Sequence, residues 1–480
     1  LTEKEAARLP CPSPSTRLPW RGRGVWLMGD SHVHHRQTGL ARVVEEARQH
    51  GCDYLAFTEH SFYTECLKAQ PELIERALHA HPDMILVTGV EWSSPAGDET
   101  RSEQVGVLMP GGARGMSFLG EFLNRFDTRV AGIKTSEEAF LDALRFLSAE
   151  GAGDVRPTVI LTHPHRPQAA FTADQIRSAR RAGPALAGLC GSSRPPKPGT
   201  CEVWPWVSDV GGTYDQLTAD GLRLVILAES HFHQHTSEGG QEFWPGELRQ
   251  NYVYCPDRSE AGLFQGLRSG ASYFVLGDIV REVELRAAAA GESVMMGETL
   301  SARRGAPIEI TVTAVENAHL DSMQLIGNPD GQPCVIARVP GRRLVPRGGR
   351  VRWRLESRAG QGSFYVRARG SAHIEKPYPM TAWFYTNPLW VSTDSAVVTK
   401  ATVAKSAEPT STDAEGNLTI GRTVVRGGVP RPPAGRGGRR GTGGGHRQGL
   451  QQIDSGERHP RESRLPEGKG GAVCLRREHA

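Results

Sequence analysis

Apolar and polar positions divide the chain into three textures. From Val25 to about Gly277, short apolar runs with the length of buried strands alternate with amphipathic stretches. The stretches Leu40 to His50, Pro71 to His81, Ser136 to Ala149, Thr172 to Ala182 and Ser259 to Ser269 space their apolar residues as a helix does. This alternation predicts a parallel sheet with helices outside it. A barrel is favoured over an open sheet, because polar residues gather at the carboxyl ends of successive strands, which in a barrel share one mouth.

From about Val280 the texture changes. VELRAAAAGE, IEITVTAVE, SMQLIGN, PCVIARV, RVRWRLES, GSFYVRARG and NPLWVS are β-rich runs separated by Gly, Asn and Pro, which predicts an antiparallel sandwich. Beyond about Ser395 the composition turns to Ala, Thr, Ser and Glu, then to PRPPAGRGGRRGTGGGHRQG. Such a segment has too little apolar surface to offset the entropy of ordering. The expected organisation is an irregular arm over residues 1–20, a barrel over 21–279, a β-sandwich over 280–395 and a disordered Gly/Arg-rich tail over 396–480.

Charge alters the first impression of a basic protein. The formal net charge is +4, but residues 421–480 hold 13 Lys/Arg against 5 Asp/Glu, so residues 1–420 carry 44 against 48. A mildly acidic body lacks the clustered basic groups that hold a phosphate backbone, so no nucleic-acid partner is expected for it. No apolar stretch reaches the roughly 18 residues of a membrane helix. No charged, apolar, small-residue leader opens the chain, although residue 1 is Leu; compartment and oligomeric state stay open. The eight cysteines form neither a CxxC nor a dense framework, and read as mostly buried or free thiols.

The candidate chemistry lies where the strand-like runs end. GDSHVHH (29–35) places His32 and His34 at i and i+2, on one face of a strand, with Val33 turned into packing. DYLAFTEH ends in Glu59 and His60, MILVTGVEW contains Glu91, TVILTHPH ends in His163 and His165, and LRLVILAESHFHQH ends in Glu229, His231, His233 and His235. One HxH alone is weak evidence; its recurrence with acids at run after run points to a divalent-metal site, since imidazole and carboxylate suit Zn, Mn or Fe. Glu59 and Asp30 are read as orienting ligands. His165 or His233 could protonate a leaving group, and Arg36 and Arg166, at the mouth, could clamp an anionic small-molecule substrate.

Together these segments resemble the motifs of the PHP (polymerase and histidinol phosphatase) superfamily of metal-dependent hydrolases. GDSHVHH matches the HxH motif, AFTEH the usual TDH, TGVEW the bridging Glu, LTHP the third His motif and AESH the usual SDxH, in order over about 250 residues. The following sandwich, closing in TNPLWV, is similar to the carbaryl-hydrolase-like (CehA/McbA-type) subgroup. The resemblance implies a distorted TIM-like (β/α)7 barrel followed by the sandwich. It also implies that His32, His34, Glu91 and Glu229 surround a first ion, that Glu91 bridges to a second held by His163, and that His60 and His231 ligate a third. One to three ions are implied, with two the central expectation; two ions about 3.5–4 Å apart would lower the pKa of a shared water toward about 7. The implied activity is hydrolysis of a phosphoester, carbamate or carboxylic ester by a metal-activated hydroxide.

The pattern departs from that family in places. Glu229 replaces an Asp, Gln104 in EQVGVLM stands where a His is expected, and no Asp follows His34 at the usual distance. Two other readings therefore stand beside the first: a non-catalytic metal-binding scaffold, and an amidohydrolase. The latter also uses HxH on a barrel but usually bridges its metals with a carboxylated Lys.

Overall fold

Val25 and Leu27 alternate with Trp26 and Met28 and open the first strand; Gly29 lets it approach its neighbour, because a Cβ there would lie 2.1 Å from the Tyr54 carbonyl oxygen. The structure, a computed structural model, describes residues 17–98, 101–150, 156–162, 164, 171–193, 203–360 and 362–393, and the backbone of 411–412 and 417–420; the side chains of Asp98, Arg101 and Ser102 lie outside this set. All of these residues belong to a compact unit spanning Leu1–Gly427. Gly428–Ala480 form a second unit outside the described residues.

The first half contains β1 (Val25–Val33), β2 (Tyr54–Phe57), β3 (Ile85–Asp98), β4 (Arg101–Met109), β5 (Thr158–Leu161), β6 (Leu186–Ser192), β7 (Val225–Ala228), β8 (Arg249–Cys255) and β9 (Ser272–Leu276). Its helices are α1 (Leu40–Gln49), α2 (Thr64–Ala80), α3 (Gly112–Phe126), α4 (Glu137–Ala149), α5 (Ala173–Ala182), α6 (Pro205–Ser208), α7 (Thr213–Ala219) and α8 (Glu260–Ser269). Local chemistry starts several of them. Ser136 and Ser259 accept hydrogen bonds from the third residue of α4 and α8, and Thr172 and Gln175 form a capping box at α5. In α2 the helix begins seven residues before Pro71 rather than at it.

The strands run β9-β8-β1-β2-β3-β4-β5-β6-β7 within one sheet. The pairs β1/β2, β2/β3, β5/β6 and β6/β7 are parallel, while β3/β4, β4/β5, β1/β8 and β8/β9 are antiparallel. The sheet is therefore mixed, a correction to the parallel sheet that the alternation predicts. Only two residues join β3 to β4, too few for a crossover, so the chain returns antiparallel. One apolar cluster draws Leu27, Tyr54, Val87, Leu108, Ile160, Leu227 and Val253 from β1, β2, β3, β4, β5, β7 and β8.

Side-chain amides tie β7 to strands at the other end of this order. Asn251 of β8 accepts from the Ala228 N–H at 2.8 Å and donates to the carbonyls of Gly29 and Ala228. Asn387 accepts from the Ile226 N–H at 2.8 Å and donates to the Ile226 carbonyl and to Ser272 Oγ. Past β7, Phe232 bridges to Val33, and its carbonyl accepts from the His34 N–H at 2.8 Å.

The second half contributes β10 (Val280–Ala289), β11 (Glu292–Met295), β12 (Thr299–Ala302), β13 (Pro307–Glu316), β14 (Ser322–Gly327), β15 (Cys334–Pro340), β16 (Arg350–Arg358), β17 (Phe364–Ile374), β18 (Met380–Thr386), β19 (Leu389–Thr393), β20 (Ser411–Thr412) and β21 (Asn417–Ile420). A separate sheet orders β11-β10-β13-β16-β21-β20. It packs on β12, β14, β17, β18 and β19 through a shared core that includes Leu285, Val312 and Trp353 on one side and Leu325, Val366 and Phe384 on the other. The layer holding β17 and β18 is not detached from the first half, because β18 pairs with β9 at Phe384↔Val275 and its neighbours. Within the segment expected to be disordered, β20 and β21 extend the second sheet beside β16; the rest of 396–480 lies outside the described residues. No helix among the described residues is long and apolar enough to cross a membrane.

Candidate metal centre

The carboxyl ends of β1 and β2, the middle of β3 and the segment after β7 bring the marked residues together. His32, His34, Glu91 and His231 are buried, and one ligand atom from each lies within 4.8 Å of the others. His34, His60 and His233 form a second group of the same tightness. The first group offers nitrogen and oxygen donors and the second nitrogen alone, donor types that suit Zn, Mn or Fe.

Neighbouring groups fix how the imidazoles face. Thr58 Oγ1 lies 2.8 Å from His32 Nδ1, which leaves Nε2 toward Glu91 Oε1 at 3.7 Å. Glu59 Oε1 lies 3.2 Å from His34 Nδ1, and His34 Nε2, which makes no hydrogen bond among the described residues, faces Glu91 Oε2 at 3.6 Å. Such contacts set the ring orientation and raise the basicity of the nitrogen that would bind. Asp30 ties two segments together by accepting from the His32 N–H at 3.0 Å and the Ser230 N–H at 2.8 Å. Glu59 and Asp30, expected to orient ligands, are placed against His34 Nδ1 and the His32 N–H.

At His231 the backbone turns left-handed, with φ of 53°. For a residue with a Cβ that conformation is costly. It stacks the imidazole on His32, with centroids 4.9 Å apart and planes 8° from parallel. The next histidine, His233, stacks on His34 at 4.0 Å.

Burial and charge set the protonation of the surrounding groups. Burial pushes Asp30 up to about 6, against the N–H groups of His32 and Ser230, and raises Glu229 well above the usual carboxylate range with help from the charges of Asp30 and Glu91. Burial would also raise Glu59, but its hydrogen bond to His34 and the proximity of His34 and His35 hold it well below that range. Burial, and then His34, lowers His233 to about 4. The fully buried carboxyls of Asp30, Glu91 and Glu229 thus crowd one another where a cation would relieve their repulsion.

No protein-family model matches this chain, and no curated protein matches it.

The arrangement differs from the expected ligand partition. His231, assigned to a third ion, groups with His32, His34 and Glu91, whereas Glu229 belongs to neither group. The Glu229 N–H is bound to the Ser192 carbonyl and its carboxyl packs beside Cys190; the left-handed turn two residues later carries His231 inward instead. Gln104 Nε2 lies 3.1 Å from His60 Nδ1, which is also 2.7 Å from Glu91 Oε2. His233 suits a lone-pair donor better than the acid expected of it, because a group held near 4 has no proton to give at neutral pH. Its Nδ1 lies 3.0 Å from the His231 carbonyl, to which it donates as the neutral ring, leaving Nε2 as acceptor.

Arg36 is exposed, with its guanidinium 4.2 Å from the centre of the Tyr63 ring. Arg129, which carried no sequence signal, lies equally close to the Phe62 ring, and Phe62 stacks on His60 at 4.9 Å. His163, His165 and Arg166 lie outside the described residues. Thr58, whose contact with His32 no motif marks, stands directly before Glu59 and His60, a place that is itself a usable signal.

Proposed function

We propose that this protein is a divalent-metal-dependent hydrolase of PHP type, cleaving a phosphoester, carbamate or carboxylic ester. The observation that carries the reading is the buried His32, His34, Glu91 and His231 group, drawn from β1, β3 and the segment after β7. The barrel that the reading requires is supported by the apolar cluster shared among seven strands and by the Asn251 and Asn387 bridges from β7.

His32, His34, Glu91 and His231 would hold one cation, with His60 and His233 beside them for a second. A bound divalent cation would supply Lewis acidity and lower the pKa of a bound water toward about 7. Thr58 and Glu59 hold the His32 and His34 rings so that their Nε2 atoms converge. Arg36 and Arg129 lie over the Tyr63 and Phe62 rings, so a substrate arriving there would meet cationic groups backed by aromatic rings. The contact of Gln104 with His60 favours a smaller centre with one tightly held ion, since an amide is a weaker ligand than an imidazole.

The test is an elemental count on the purified full chain, followed by turnover of an aryl phosphate, an aryl carbamate and an aryl ester. The expected result is stoichiometric metal with hydrolysis of at least one substrate, both lost in Glu91→Gln. Stoichiometric metal without turnover of any of the three would favour the scaffold reading; absence of metal would overturn both.

A further inference from the structure

A cavity of about 1000 Å³ lies away from the candidate metal centre, and we propose that it binds a neutral oligosaccharide. Met28 and Asp53 on its wall sit toward the amino ends of β1 and β2, whereas His34 and His60 lie past the carboxyl ends of the same strands. A volume of this size is at the upper end of small-molecule sites. It exceeds the need of a single sugar ring.

One wall is aromatic. Strand register sets Trp26 opposite Tyr254, and Tyr252 opposite both Met28 and Tyr273. Tyr252 and Tyr273 stack at 4.7 Å, while Trp26 and Tyr252 are only half-buried and line the space. The part of the Trp26 and Tyr252 rings left exposed offers apolar surface to the flat C–H face of a pyranose.

Most of the remaining lining is charged, and most of those charges are held in ion pairs. On β10, Glu284 pairs with Arg286 at 2.6 Å and Glu282 with Arg350 at 2.8 Å; Arg21 of the preceding arm pairs with Glu298 at 3.1 Å. Each carboxylate keeps lone pairs for hydroxyl donors, and each guanidinium keeps N–H groups for hydroxyl acceptors. A strongly anionic ligand would meet Asp53, Glu282 and Glu284; a cation would meet Arg17, Arg21, Arg281, Arg286 and Arg350. A neutral ligand that donates and accepts at every hydroxyl, and has an apolar face, satisfies both parts of the lining. Of these charges, Arg281 alone has no ion-pair partner among the described residues, so the competing occupant is an aryl monoanion.

Calorimetric titration of the full chain with cellotetraose, maltotetraose, xylotetraose and mannotetraose, beside 4-nitrobenzoate, decides between them. At least one tetrasaccharide is expected to bind. Its affinity should fall about tenfold or more in Tyr252→Ala and in Glu284→Gln, change little in Arg281→Ala, and leave metal content unaltered in all three. Glu284 lies on the outer face of its sheet, so Glu284→Gln decides the matter if Tyr252→Ala does not fold. The proposal fails if no tetrasaccharide binds at millimolar concentration, if binding is indifferent to both wall substitutions, or if only nitrobenzoate binds and does so through Arg281.

Discussion

The Thr58 hydroxyl, 2.8 Å from His32 Nδ1, decides which nitrogen of His32 faces Glu91. Thr58→Val keeps the shape and removes the hydrogen bond. It should weaken metal binding by about 10–100-fold with the fold unchanged, as read by competition with a chromophoric chelator. The protonation of the buried acids gives a second measurable consequence in metal-stripped protein. Asp30 titrates at about 6 when folded, against an ordinary value of 3.8. Between these values the unfolded chain has already released the proton that the folded chain retains, so Asp30 makes stability decline as pH rises from about 4 to about 6. Glu59, depressed, gives the opposite slope below its ordinary value. His233, lowered to about 4, makes stability rise with pH over the same window. The Asp30 share is therefore read by comparison. Between about pH 4 and 6 the denaturant midpoint of stripped Asp30→Asn should climb more, or fall less, than that of the stripped unaltered chain, and saturating Zn or Mn should shrink the difference.

At the scale of elements, β7 has a backbone ladder with β6, whereas its contact with β8 and β9 is made through the amides of two asparagines. Asn251→Leu is close in volume but leaves the Ala228 N–H and carbonyl without the amide that serves them. The cost should be roughly 3 kcal/mol in urea denaturation, with weaker metal retention, since His231 follows β7 directly. The sequence revealed the elements better than their joins. His32 and His34 were legible because strand periodicity alone puts them on one face. The exchange of Glu229 for His231 was not, because it depends on one left-handed residue that no apolar pattern records. The contact of Gln104 with His60 depends on the antiparallel return of β4, in which Gln104 faces Ser93, and EQVGVLM read alone gives no direction. Arg129 reaches Phe62 from a loop held by Asp127, whose carboxylate accepts from the N–H groups of Ser93, Arg129 and Val130.

At the scale of the whole molecule, the change of texture near residue 280 is real as composition and misleading as a seam. The first half is built from strands and helices, the second from strands, as the sequence indicates. Yet Asp215 of α7 and Arg367 of β17 form a buried ion pair at 2.7 Å, and Asn387 serves the backbone of β7 from beyond β18. Such pairings join residues more than 150 positions apart, and local patterning has no means of announcing them. A buried pair of this kind is costly to break from one side, because the remaining charge is stranded.

The register of Phe384, Tyr385 and Thr386 against Val275, Phe274 and Tyr273 bears on how this chain can be handled. A fragment ending at residue 279 would keep every histidine of the candidate centre and lose the strand that covers β9. Its amides would then present an adhesive border to other copies. Such a fragment should elute as large assemblies or precipitate, where the longer chain does not. Gene fusions and shortened versions made for crystallography would do better to cut after Ile420, which keeps β21 beside β16, than at the visible change of composition.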